Sequence, residues 1–158
     1  MTNPGASHAA DSSPLYIKNA HSNKCLEIEN SSKANGANAQ QWSCVGQSGV
    51  KWKLRPLGND EYLIINVNSG KCLEVENGWR HNGAPIQQWT CNASLGHHRW
   101  KIEQDIGSGG DLWLVNVAGY IAEVENSWTH DGAPVQQWTT DFDSSTGRGQ
   151  LWYFKLNA

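Results

Sequence analysis

Long apolar runs are missing from this chain. Nowhere do about 18 consecutive apolar residues occur, so no segment reads as a membrane-spanning helix. Basic clusters are missing too: 12 Lys and Arg stand against 15 Asp and Glu, scattered singly, for a formal charge of −3. With no basic stripe to neutralise phosphates, nucleic acid is not an expected partner. Helical periodicity is absent, because the apolar runs are short and broken by Gly, Asn and Ser. Methionine occurs once and phenylalanine twice, so the bulk of a core must come from other residues. Close cysteine pairs, about two to four residues apart as a zinc site wants them, are also missing. Residues 1–14 are small and polar with two prolines, Pro4 and Pro14. They lack the apolar stretch of a signal peptide and are expected to form a flexible N-terminal tail.

What is present is tryptophan. Nine Trp in 158 residues is a strong bias in a chain of one-domain length. Trp is amphipathic and favoured where one face packs and one edge stays wet. Some of the nine belong in a core, and the remainder invite a ligand.

Their spacing reveals internal repeats. Cys25-Leu-Glu-Ile-Glu-Asn30 recurs as Cys72-Leu-Glu-Val-Glu-Asn77 and as Ile121-Ala-Glu-Val-Glu-Asn126. Each is followed by Gln-Gln-Trp, ending at Trp42, Trp89 and Trp138, always 17 residues after the first position. A further Trp closes each unit (Trp52, Trp100, Trp152) and an aromatic opens it (Tyr16, Tyr62, Trp113). The units run over about 15–57, 61–105 and 111–157.

Within a unit, Leu-Glu-Ile-Glu and Leu-Glu-Val-Glu alternate with period two, which predicts strands and places Glu27 and Glu29 on one face. Asn35-Gly36, Asn82-Gly83 and Asp131-Gly132 are turn signals ahead of the next short strand. The fold class is all-β. Cysteines follow the same register: Cys25 to Cys44 and Cys72 to Cys91 are equal steps of 19, and the third unit has Ile121 and Thr140 instead. Joint loss of both members is what one bridge per unit predicts. Disulfides of this kind suit an oxidising compartment and point to a secreted protein.

These elements resemble the ricin B-chain type of lectin domain, also found as carbohydrate-binding modules on bacterial glycoside hydrolases. The resemblance rests on the Cys-Leu-Glu-Val element, on Asn82-Gly-Ala-Pro-Ile-Gln-Gln-Trp89 and on a closing Gln-x-Trp, which is complete only at Gln150-Leu151-Trp152; Val50 and His98 replace the other two glutamines. It implies a β-trefoil of three four-stranded units over 15–158 with pseudo-threefold symmetry, and a core supplied by Leu26, Ile28, Leu73, Val75, Val124, Trp52, Trp100 and Trp152. It also implies one sugar site per unit. The acid is Glu27, Glu74 or Glu123; the polar partner is Gln40, Gln87 or Gln136; the aromatic platform is Trp42, Trp89 or Trp138. A carboxylate accepts hydrogen bonds from two neighbouring hydroxyls, and the C–H face of a pyranose packs on a rigid indole.

Two departures accompany the resemblance. The family's usual acid is Asp, whereas all three units here have Glu. The family's Asn, three residues before the closing Trp, is replaced by Gly49, His97 and Gly149. In addition, Trp79 and Trp128, with His81 and His130, occupy loops where the first unit has Ser32 and Ala34. They are expected to widen the second and third sites and leave the first weaker. His97-His98 reads as a surface pair, with no metal or cofactor expected. The Glu pairs lack the deep cleft of a glycosidase, so the chain is not read as an enzyme. The function expected is attachment to glycans or polysaccharides at cell surfaces, in isolation or within a toxin or hydrolase assembly. The competing reading is a protein-interaction or inhibitor module without sugar binding, acting through the segment Thr139–Gly149.

Overall fold

The computed structural model describes residues 10–140 and 148–157. The start of the expected tail and most of the Thr139–Gly149 segment therefore lie outside the described residues. Twelve short strands follow in order: β1 (Leu15–Asn19), β2 (Cys25–Ile28), β3 (Ala39–Trp42), β4 (Lys51–Gly58), β5 (Glu61–Asn66), β6 (Cys72–Val75), β7 (Ile86–Trp89), β8 (Trp100–Gln104), β9 (Leu112–Asn116), β10 (Ile121–Val124), β11 (Val135–Trp138) and β12 (Trp152–Lys155). Each unit contributes four. The helical elements among the described residues are single 3₁₀ turns, as expected where Gly, Asn and Ser interrupt every apolar run.

Pairing closes a ring. β1 pairs with β4 and β12, β5 with β4 and β8, and β9 with β8 and β12. The result is a six-stranded antiparallel barrel without free edges. The hairpins β2–β3, β6–β7 and β10–β11 are each attached to it, through β1, β5 and β9. Single bridges join the hairpins to one another, Asn38 to Gln87, Gln40 to Pro134 and Pro85 to Gln136. This is a β-trefoil.

One continuous core contains Leu26, Ile28, Leu73, Val75, Val124 and the three closing tryptophans. Trp52, Trp100 and Trp152 are fully buried. Each indole N–H must then find an acceptor, and the three find equivalent ones: Leu26 O at 2.9 Å, Leu73 O at 3.0 Å and Ala122 O at 3.0 Å. Both expected disulfides are formed, Cys25–Cys44 and Cys72–Cys91. Before Leu15, Ser12 exchanges two hydrogen bonds with Leu54 and Asp11 grips Arg55 at 2.7 and 3.0 Å. The ordered structure thus reaches back into the stretch expected to be a tail.

Alternation fails at one place. β2 stops at Ile28, Glu29 opens a 3₁₀ turn, and Asn30 takes a left-handed φ of 56°. Asn77 and Asn126 do the same at 53° and 52°, a conformation that Asn tolerates better than most side chains. The chain therefore turns between the two carboxylates of each pair, and Glu29 does not continue the strand face of Glu27.

Candidate functional site

Glu27 on β2 lies directly opposite Gln40 on β3. Period two then puts Trp42 on the same face as Gln40, and turns Ala39 and Gln41 inward. The Glu27 carboxylate is only 5% exposed, yet both oxygens are engaged: Gln40 Nε2 donates to Oε1 at 2.7 Å and Gln47 Nε2 to Oε2 at 2.9 Å. Trp42 stands at the rim with 38% of its surface exposed. Glu27, Asn30, Gln40, Trp42 and Gln47 help to line an open depression of about 190 Å³.

The other two units repeat this geometry with one change of actor. Glu123 receives Gln136 Nε2 and Gln150 Nε2, each at 3.0 Å. Glu74 receives Gln87 Nε2 at 3.4 Å and His98 Nε2 at 3.1 Å. Trp89 and Trp138 are exposed like Trp42. A second amide or imidazole thus fixes each carboxylate, from Gln47, His98 or Gln150. Sequence reasoning missed this third member, although the signal was there. Gln150 and His98 both stand two residues before a closing Trp; where Val50 occupies that position, Gln47 reaches in instead.

His98 is fully buried, not part of a surface pair. Its Nδ1 lies 3.2 Å from the backbone N–H of Asn92, which can only donate, so the ring proton sits on Nε2 and points at Glu74. Glu74, His97 and His98 bring ligand-type atoms within 4.8 Å of one another. A cation at His98 Nε2 would drive the proton to Nδ1, against the Asn92 N–H. The cluster is built as a hydrogen-bond network and not as a metal centre. His97 Nε2 lies 3.8 Å from Glu74 Oε1; burial lowers its pKa from the ordinary histidine value, against the opposing pull of Glu74.

The sequence matches a model of the ricin-type β-trefoil lectin domain-like family over residues 8–89 and 57–138. The chain belongs to this family. Among solved structures, it is similar to the designed threefold-symmetric protein ThreeFoil, with 33% identity and a TM-score of 0.82 over 89% of this chain and 96% of that one. It is similar to 1,3Gal43A, an exo-β-1,3-galactanase from Clostridium thermocellum, at 29% identity and a TM-score of 0.81; 90% of this chain is covered but only 30% of the enzyme. The fold is also that of a ricin B-like lectin from Macrolepiota procera, solved in complex with lactose, at 16% identity and a TM-score of 0.77 over 93% and 97% of the two chains. No curated protein matches the sequence.

In this lectin-like domain the inward glutamines carry a role that the sequence reading did not assign. Gln41, Gln88 and Gln137 are wholly buried. Each donates through Nε2 to two carbonyls in the loop of the preceding unit around the ring: Gln88 to Ser32 and Ala34, Gln137 to Trp79 and His81, Gln41 to Trp128 and His130. The loop tips bind forward as well. Asn35 accepts the Thr90 N–H, Asn82 the Thr139 N–H and Asp131 the Ser43 N–H. The left-handed glycines that follow, Gly36, Gly83 and Gly132, come up against Trp89, Trp138 and Trp42.

The loop carrying Trp79 and His81 accordingly starts at the second site and ends beside the platform of the third. The loop carrying Trp128 and His130 runs from the third site to the first. Both extra indoles are exposed, 43% for Trp79 and 40% for Trp128, and each leans on its histidine with ring centres 5.5 and 5.3 Å apart. Glu29 and Glu125 line a separate depression of about 380 Å³ between the three hairpins, with Asn38, Pro85 and Pro134.

Proposed function

We propose that this domain is a carbohydrate-binding lectin with up to three sugar sites, one per unit. The observation that supports this best is the threefold recurrence of a buried, doubly hydrogen-bonded Glu beside an exposed Trp. A carboxylate held by two side chains loses no further entropy on meeting a ligand, and its remaining lone pairs accept from hydroxyls. The adjacent indole is a rigid surface for the apolar face of a pyranose, at little entropic cost. The open depression at the first site is shallow, which suits selective, weak binding to glycans or polysaccharides at cell surfaces and not turnover; in this reading the domain is not an enzyme. Two disulfides fit a secreted protein.

Similarity to part of an exo-β-1,3-galactanase and to 18% of a mosquitocidal holotoxin supports a further part of the proposal, that such a domain serves as the glycan-targeting part of a larger toxin or hydrolase assembly. The test is a glycan array with the unaltered protein beside a Trp89→Ala/Trp138→Ala variant. Selective binding that falls at least about tenfold in the variant is the expected result. An empty array from folded protein would overturn the lectin reading and redirect attention to protein recognition.

A further inference from the structure

The three units are not interchangeable around the carboxylate. In the first, the Gly49 N–H donates to Ser31 Oγ at 2.9 Å, and Asn68 Nδ2 donates to Ser31 O at 2.8 Å. The third keeps the first of these contacts, from Gly149 to Ser127 at 3.0 Å. The second unit exchanges the residues in a correlated way. Gly78 replaces the serine and His97 replaces the glycine, and their fit is mutual: a Cβ on Gly78 would come within 2.8 Å of His97 Nδ1. Conversely, a Cβ on Gly49 would meet Ile28 O at 2.9 Å, so the glycine is as necessary there as Gly78 is here.

The turn that faces this region differs too. Asn68 and Ala118 are structural counterparts, since the backbone N–H of each donates to the Asn closing the preceding strand, Asn66 at 3.2 Å and Asn116 at 2.9 Å. Where the turn facing the first site offers the Asn68 amide, the turn facing the second offers the Ala118 methyl group. These exchanges are accompanied by a hollow of about 130 Å³, lined by Trp79, Arg80, His97, Val117 and Ala118 among others. It has room for a compact substituent of a few heavy atoms.

We propose that this hollow is a side pocket of the second site that receives an acetamido substituent of a saccharide held at Glu74. The inference rests on the lectin reading and adds a substrate class to it. Continuity is provided by His97, which lines the hollow and lies 3.8 Å from Glu74 Oε1. An acetamido group is a compact substituent with one apolar and one polar end. Val117 and Ala118 supply an apolar wall for its methyl, and its amide would face His97. One His97 ring nitrogen is turned towards Glu74 and the other lies beside Gly78, where it can make one hydrogen bond to the amide. At the first site Asn68 reaches across to Ser31 instead.

The experiment is a site-resolved NMR titration, following the Val117 methyls and the His97 ring, with N-acetylglucosamine and N-acetylgalactosamine against glucose and galactose. Two variants copy residues already accommodated around the first site: Ala118→Asn, and Gly78→Ser combined with His97→Gly. Serine is tolerated at this left-handed position, since Ser31 has φ 50° and Ser127 φ 53°. The unaltered protein is expected to bind the N-acetylated sugars about tenfold more tightly than the parent hexoses, and both variants to reduce that preference towards one. Equal affinities, or a preference that both variants retain, would overturn the side pocket while leaving a lectin. Failure of every saccharide to bind at any unit would overturn the lectin reading and this inference together.

Discussion

Single residues carry the threefold plan to a finer level than the repeated motifs suggest. The closing tryptophans fill the core, and each indole N–H also donates to one strand carbonyl, that of Leu26, Leu73 or Ala122. Replacing Trp100 by Phe keeps much of the apolar bulk but leaves the buried Leu73 carbonyl without this donor and opens a space. The two effects together should cost about 2–4 kcal/mol. Urea unfolding of Trp100→Phe checks this, and a loss well below 1 kcal/mol would mean that the core closes over the gap. The same scale explains what the sequence concealed. The disulfides, and the pairing of Glu with Gln beside an exposed Trp, were legible because they recur at fixed spacing. The second holder of each carboxylate was not, because three different positions and two residue types, Gln47, His98 and Gln150, solve one geometric problem. His98 looked like a surface residue because its burial depends on Glu74 and Asn92, which are distant in the reading of a single strand.

At the level of elements, the loops between the paired hairpin strands decide how the units meet. Each is pinned by a buried Gln and by its own tip, but the tips differ: Asn35 and Asn82 are uncharged, whereas Asp131 is a carboxylate. Desolvation pushes the Asp131 pKa up, and it is outweighed by the hydrogen bonds from the Ser43 hydroxyl and N–H and by Lys24, so the group is held below the usual carboxylate range. A depressed folded pKa means that its contribution to stability is complete above the unfolded value, about 3.9, and is lost as pH falls through the lower folded value. In an acid titration followed by NMR, the Ser43 amide should therefore shift with a midpoint below about 3.9. The Thr90 and Thr139 amides, bonded to asparagines, should show no such local step. Matching transitions at all three would mean that the loops respond to global unfolding and not to Asp131. Period-two patterning and turn signals made these hairpins legible from sequence. Which neighbour a loop docks on was not, because that depends on closure of the ring and not on local order.

For the whole molecule, closure has an energetic consequence. Two units carry a disulfide and the third has none among the described residues, so a chain of independent modules would melt first at the third. This barrel has no seam at which that could happen. β9 of the third unit pairs with β8 of the second, and β12 pairs with β1 of the first. Trp152 of the third unit packs in the same core cluster as Trp52 and Trp100. Losing the third unit would expose two barrel edges and this shared core. Each disulfide closes a loop between residues 19 apart in sequence, which chain entropy values at about 3 kcal/mol. Removing both, as Cys25→Ala/Cys44→Ala with Cys72→Ala/Cys91→Ala, should thus cost about 6 kcal/mol, a large part of the roughly 5–15 kcal/mol typical of a domain. The loss should appear as one cooperative transition at lower denaturant, with Trp fluorescence and amide exchange in β9–β12 changing together with those of β1–β8. Early exchange confined to β9–β12 in the intact protein would show that the units melt separately and that ring closure contributes little. A single transition in both proteins would show that the three sites stand on one rigid body. Under the proposed lectin function, such a body would engage clustered glycans at several sites at once and gain avidity from its shape alone.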